Sequence, residues 1–157
     1  MRRTILTDAV IFDMDGTLAN VSSIRHHLRI WDESKGRTIK NFDRFHEESV
    51  NVPPNPQVVN HAQVAHMLGL AVLVVTARKA RWRHHTAWWL AVNNVPSDAL
   101  FMRGDDDHRP DYEVKSDILD AISHTWNVIH AVDDNPNVIR LWNERGIPTT
   151  TIPGWED

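Results

Sequence analysis

Three apolar residues, Val10-Ile11-Phe12, run directly into two aspartates one residue apart, Asp13 and Asp15, and a Gly16-Thr17-Leu18 turn follows. An apolar run of this kind reads as a strand covered on both faces. No other feature constrains the fold as strongly. Ionised carboxylates at the end of a buried strand are costly unless a cation or a substrate proton neutralises them. Residues i and i+2 share a strand face, and a turn beginning at Met14 can swing both carboxylates towards one point. A hard divalent ion such as Mg²⁺ suits that point, because it prefers oxygen ligands and takes few of them from protein. A solvated Asx turn is the plainer reading of Asp-x-Asp alone; the Gly-Thr-Leu continuation speaks against it.

The pattern downstream alternates. Strands are expected at about 9–13, 71–75, 100–102, 128–132 and 149–152. Between them, helices are marked by Val58, Ala62, Ala65 and Leu68, by Ala80, Ala87, Trp88 and Ala91 (about 79–93), by Val114, Ile118, Leu119 and Ile122, and by Val138, Leu141 and Trp142. Gly69 and Gly146 stand where helices should end. In the mixed stretch from Ala19 to Gln57, Ile24, Leu28 and Trp31 have helical spacing, as do Ile39, Phe42 and Phe45, which predicts two short amphipathic helices. Asn51 to Pro56, with three prolines, predicts an extended connector that breaks helix. Strands alternating with helices make a doubly wound parallel sheet with helices on both faces. Ligands bind such sheets beyond the carboxyl ends of the strands, which is where the chemically capable residues fall.

With 157 residues the chain is expected to form one domain, with a small flap or cap-like insert at about 20–57. No apolar run reaches the roughly 20 residues of a membrane span. No cysteine is present, so disulfides, thiolate catalysis and thiol zinc sites are excluded, and a cytoplasmic setting fits. The net charge of −4 offers no global attraction to nucleic acid, although a local basic patch can coexist with it. Ten histidines raise the question of zinc. His26-His27 and His84-His85, however, are adjacent pairs on expected helices and should not face one ion, so no zinc site is expected.

The string from Val10 to Leu18 resembles the first motif of the haloacid dehalogenase superfamily of phosphotransferases. The resemblance implies that Asp13 is the nucleophile, forming an aspartyl-phosphate, and that Asp15 is the general acid and base. Thr76, ending the second strand, would by itself read as a helix N-cap. Its place resembles the second motif, a Ser or Thr offering its hydroxyl and amide to phosphate. Lys115 stands where the third motif holds a lysine, and Asp133-Asp134 end the fourth strand as the fourth motif does. The ligands this implies for Mg²⁺ are Asp133 as the principal one, Asp13, and the backbone carbonyl of Asp15. Spacing leaves open whether Asp134 binds through water or orients Lys115.

A narrower resemblance lies in Met102-Arg103-x3-Asp107-x-Arg109-x-Asp111-x3-Lys115, in Val132-Asp133-Asp134 and in Val138-x2-Leu141-Trp142. These resemble the 3′-phosphatase domain of phage polynucleotide kinases, as does the ending Arg145-Gly146-Ile147. Thr76-Ala77-Arg78 is similar to that domain's Ser/Thr-Gly-Arg turn, with alanine in place of glycine. No G-x4-G-K-S/T phosphate loop is present, so any 5′-kinase is expected to be another protein or not to exist. The implied substrate is a nucleic-acid 3′-phosphate end, met by Thr17, Arg78, Arg81, Arg83, Arg103 and Arg109. Independently, Arg78-Lys79-Ala80-Arg81-Trp82-Arg83-His84-His85 is a basic run with an embedded tryptophan, able to contact flanking phosphates and stack a base. The plainer reading of that run is a solvated helix face with a core tryptophan. Two other functions share the motifs: a 5′-nucleotidase or small-metabolite phosphatase, and a non-catalytic nucleic-acid-binding module.

Overall fold

The computed structural model describes residues 5–155. Strand β1 (Thr7–Phe12) alternates its side chains between two cores, with Val10 and Phe12 on one face and Ala9 and Ile11 on the other. Period-2 geometry with both faces covered is what makes the run uniformly apolar. A 3₁₀ helix (Ser22–Leu28) follows, then the hairpin β2 (Ile30–Asp32) and β3 (Arg37–Ile39), and helix α1 (Phe42–Glu48). Helix α2 (Pro56–Met67), β4 (Ala71–Lys79), α3 (Arg83–Val92), β5 (Ala99–Arg103), α4 (Asp111–Ile122), β6 (Trp126–Asp133), α5 (Pro136–Glu144) and β7 (Thr149–Thr151) complete the order.

Five strands form one parallel sheet in the order β5-β4-β1-β6-β7, so the strand carrying the aspartates is central. Helices α2 and α3 bury Val58, Ala62, Trp89 and Leu90 against one face. Helices α4 and α5 bury Leu119, Ile122, Val138 and Trp142 against the other. The doubly wound α/β architecture is therefore as expected, and Gly69 and Gly146 do follow helix ends. Pro56 and Pro136 stand at the first turns of α2 and α5, where a missing N–H costs nothing.

Three expectations change. Trp31 and Ile39 lie in the hairpin rather than in helices. The Asp32 carboxylate accepts from Ser34 N–H (3.0 Å), Ser34 Oγ–H (2.6 Å) and Lys35 N–H (3.3 Å), and Gly36 takes the left-handed conformation at φ +58°. That turn chemistry outweighs a short apolar spacing, and Trp31, 63% exposed, buries little that would favour a helix. Strand β4 continues through Thr76, Ala77 and Arg78 to Lys79, with a register shift against β5 after Val75. Helix α3 consequently starts at Arg83, after a 3₁₀ turn at Ala80–Trp82, rather than at about 79.

The proline-rich connector is extended from Val52 and is pinned beside the β1 turn. Asn20 N–H donates to Pro53 O (2.9 Å), Asn55 N–H to Leu18 O (2.8 Å), and the Trp89 indole N–H to Val52 O (2.9 Å). These bonds hold the 20–57 segment over the carboxyl ends of the strands. Among the described residues no helix is long and apolar enough to cross a membrane.

Candidate active site

The chain leaves β1 through a tight loop in which Thr17 and Ala19 N–H both donate to Met14 O (3.2 and 2.9 Å). Gly16 turns it at φ +81°, and a Cβ there would fall 2.1 Å from Asp134 Oδ2. Only glycine allows both the left-handed backbone and that approach. The loop buries the Thr17 side chain, whose hydroxyl donates to Asp13 Oδ2 at 2.9 Å.

Lys115 comes from α4, and its Nζ lies 2.7 Å from Asp13 Oδ1 and 2.9 Å from Asp133 Oδ2. Burial opposes the ammonium charge, but attraction to Asp13 and Asp133 outweighs it and raises the Lys115 pKa above the ordinary lysine range. Asp13 is pushed the other way. Burial first, then repulsion from Asp133, raise its pKa well above the usual carboxylate range despite Lys115.

Asp133 and Asp134 have different surroundings. Asp133 Oδ1 accepts from Asp134 N–H (2.9 Å) and Asn135 N–H (3.1 Å), and its Oδ2 accepts from Lys115 and from the Trp142 indole at 3.4 Å. Both of its oxygens are thus served by protein donors. Asp134 Oδ2 is buried without a hydrogen-bond partner, and its nearest cation is Arg25 Nη2 at 3.8 Å. Burial, then repulsion from Asp133, raise the Asp134 pKa to about 6. Ligand oxygens of Asp13, Asp133 and Asp134 lie within 4.8 Å of one another. It is Asp133, not Asp134, whose carboxylate holds Lys115.

Asp15 is gripped by Arg78 in a fork, Nε to Oδ2 at 2.9 Å and Nη2 to Oδ1 at 2.5 Å. Burial would raise the Asp15 pKa, but the guanidinium lowers it on balance. Arg78 is itself 2% exposed, and its third nitrogen donates to Thr86 Oγ1 at 3.0 Å. It lines the cleft beside Asp15, with its guanidinium nitrogens engaged by Asp15 and Thr86. Thr76 is buried at the sheet edge, and its Oγ1 accepts from Arg78 N–H at 3.2 Å. It does not cap α3, whose N-cap position is Trp82.

The remaining arginines divide. Arg103 is spent within its own loop and on β4, donating to Ala77 O (2.8 Å), Asp107 O (3.0 Å), Arg109 O (2.5 Å) and Asp111 Oδ1 (2.7 Å). Arg109 pairs with Asp107 (2.9 Å) and Asp117 (2.8 Å) at the surface. Arg81 pairs with Asp43 of α1 at 2.5 Å and lies over the Trp82 ring. Arg83 donates to Leu100 O at 3.1 Å and does not line the cleft in which the others meet.

That cleft, of about 420 Å³, joins Asp13, Asp15, Thr76, Lys115 and Asp134 with Arg81, Arg103 and Arg109. Its far wall comes from residues that sequence reasoning missed: Lys40, Phe42, Phe45, His46 and Trp155. His46 packs against Phe45 and Trp82, and burial lowers its pKa to about 4, leaving the ring neutral at pH 7. No motif announces it; an alternating helix face in α1 was the only available signal. A group of ligand atoms carrying buried negative charge, one buried ammonium and a forked carboxylate can bind a phosphate monoester through a hard cation and offer it a nucleophile.

The family model described as the polynucleotide kinase PNKP phosphatase domain matches residues 7–153. Among solved structures, the chain is similar to one in a Pnkp1/Rnl/Hen1 complex, with a TM-score of 0.77 and 24% identity over 96% of this chain and 47% of that one. It is also similar to the class C acid phosphatase from Bacillus anthracis with tungstate bound, with a TM-score of 0.73 and 13% identity over 98% and 69%. A third is a hydrolase, a haloacid dehalogenase-like family protein from Streptococcus pneumoniae, with a TM-score of 0.66 and 13% identity over 93% and 84%. These identities speak to the fold. The chain spans about half the length of the first of these structures.

Proposed function

This chain belongs to the family of polynucleotide kinase PNKP phosphatase domains, of haloacid dehalogenase type, and from that premise we propose that it is a Mg²⁺-dependent phosphomonoesterase removing 3′-phosphate from polynucleotide ends. The observation that carries the proposal is the Lys115 ammonium held between Asp13 and Asp133, beside an Asp15 forked by Arg78. Proposed with it is a single domain in which the segment at about 20–57 acts as a small cap bearing the cleft's far wall.

Asp13 is the proposed nucleophile. Its carboxylate attacks phosphorus, the bond from phosphorus to O3′ breaks, and Asp15 delivers a proton to the departing oxygen. Asp15 then takes a proton from water as that water attacks the aspartyl-phosphate, releasing inorganic phosphate and restoring Asp13. The fork from Arg78 favours ionised Asp15, the form needed for this second half. Lys115 and Thr76 hold the phosphoryl oxygens. The buried Oδ2 of Asp134, which no donor among the described residues hydrogen-bonds and which only Arg25 approaches at 3.8 Å, and the raised pKa of Asp13 both fit a bound cation. Asp13, Asp134 and the backbone carbonyl of Asp15 would hold it, and Asp133, the expected principal ligand, would position Lys115 instead. When bound, Mg²⁺ neutralises charge on the phosphoryl oxygens and keeps Asp13 ionised.

A polymer substrate is supported by Arg81 and Trp82 at the cleft rim and by the family, and a second similar structure is that of a Pnkp1/Rnl/Hen1 RNA repair complex. The test is a panel of 3′-phosphorylated oligonucleotides, mononucleotides and sugar phosphates, with Mg²⁺ and with chelator, alongside Asp13→Asn. Oligonucleotide 3′-ends should be preferred, and both Asp13→Asn and chelator should abolish turnover. Preference for mononucleotides or sugar phosphates would instead make the chain a nucleotidase or metabolite phosphatase. Full activity in chelator would refute the metal assignment.

A further inference from the structure

Away from the cleft, the 20–57 segment carries a set of donors for which the proposed reaction has no use. His26 and His27 occupy the last turn of the 3₁₀ helix with ring centroids 4.0 Å apart. Glu48, the last residue of α1, reaches them, so that one ligand atom of each of the three lies within 4.8 Å of the others. His27 Nε2 donates to Glu48 Oε2 across 2.6 Å. The expectation that adjacent histidines diverge is corrected by this geometry, because the imidazoles bend together at a helix end and the third donor comes from 21 positions downstream.

We propose that His26, His27 and Glu48 bind a divalent transition-metal ion, with zinc as the probe, and that the ion staples the 3₁₀ helix to α1. Two imidazole nitrogens and one carboxylate oxygen form a donor set that zinc accepts, with water in the fourth position. Imidazole selects zinc, copper or nickel over magnesium, whereas the all-carboxylate cluster at Asp13, Asp133 and Asp134 suits a hard ion. The two sites are therefore chemically distinct. The ion takes the place of the hydrogen on His27 Nε2, and the ring binds it as the Nδ1–H tautomer. Arg44 contacts the other Glu48 oxygen, Oε1, at 3.1 Å, so Oε2 stays available while the nearby positive charge weakens binding. A dissociation constant on the order of micromolar follows, weaker than that of four-ligand structural sites. The stapled elements carry Leu28, Phe42, Phe45 and His46 into the cleft wall, so the ion would stiffen the surface that meets substrate. This inference does not depend on the phosphatase reading.

The experiment titrates Zn²⁺ into the metal-stripped full chain carrying Asp13→Asn, which weakens the acidic cluster, and repeats it with Co²⁺ for its visible spectrum. One equivalent should bind saturably, Co²⁺ should show the absorption of nitrogen ligation, and Tm should rise by about 5 °C at a hundredfold excess of zinc over Kd. His26→Ala or His27→Ala should weaken binding about tenfold or more. His26 is exposed, so its variant decides the matter if His27→Ala does not fold. Absence of saturable binding, or binding unchanged in both histidine variants, overturns the proposal. So does an ion bound by the wild type and lost on Asp13→Asn alone.

Discussion

Lys115→Met is the most exposing perturbation of this site. The ammonium is 2% exposed and lies 2.7 and 2.9 Å from two carboxylates. Removing one partner of a buried ion pair costs about 3–5 kcal/mol, because the partner charge stays buried without compensation. Here two carboxylates lose their shared cation, but either can take up a proton, so the lower figure of about 3 kcal/mol applies at pH 7. For a chain of this size that is a fall in Tm of roughly 6–12 °C. The pH dependence has a definite sign. Lys115 lowers the Asp13 pKa, so the folded variant binds a proton more tightly than the folded wild type does, while the unfolded chains bind it alike. The stability deficit must therefore shrink as pH falls from 7 towards 5 and widen as pH rises. Mg²⁺ should recover part of the loss, since an ion at the acidic cluster supplies the missing positive charge, while kcat should stay about 10²–10³ below wild type. Thermal unfolding at pH 5 and 7, with and without Mg²⁺, measures all of this. A variant within a degree or two of wild type at pH 7, or one that loses more stability on acidification, would refute the electrostatic account.

Three further outcomes are expected. Asp134→Asn should raise stability in chelator, because it removes a buried charge repelled by Asp133, yet abolish the thermal response to Mg²⁺; Asp133→Asn should destabilise in both conditions and keep a Mg²⁺ response. Arg78→Leu should move the acidic limb of the kcat profile to higher pH, since the largest influence opposing burial at Asp15 is then gone, and a limb that stays in place would show that Asp15 does not report there. Arg81→Ala should raise KM for oligonucleotides and flatten the salt dependence by about 0.7 in slope while sparing an aryl phosphate; Arg83→Ala, whose side chain is on Leu100 O, should change neither substrate.

How much of this was legible beforehand follows from the range of the forces involved. Val10-Ile11-Phe12 and Ala71 to Val75 announce covered strands because both faces of a central strand must be apolar, a local and periodic requirement. The carboxyl ends of such strands meet at one edge of a parallel sheet, so Asp13, Asp15, Thr76 and Asp133-Asp134 had to come near one another once the strands were read correctly. Lys115 needed the third motif as well: its spacing from Leu119 and Ile122 places it on the buried face of α4, but periodicity does not name the carboxylates that make a buried lysine tolerable.

Pairings over long sequence distances obey no such period. An arginine in a loop can reach substrate, a carboxylate or a carbonyl with equal chemistry, and only the tertiary structure decides that Arg78 grips Asp15 and that Arg103 is spent on Ala77, Asp107, Arg109 and Asp111. Two consecutive aspartates are identical in sequence terms. They become different because the indole of Trp142 and the Lys115 ammonium reach one of them, while the other turns towards Gly16 an oxygen that no donor among the described residues hydrogen-bonds. The hairpin at Ile30–Ile39 precedes α1, which puts Phe42, Phe45 and His46 at the cleft and Glu48 beside His26 and His27. Periodicity and strand ends determined the sheet and where its chemistry gathers; which polar group satisfies which was decided by packing, because a buried hydrogen bond is chosen by proximity in space and not by spacing along the chain.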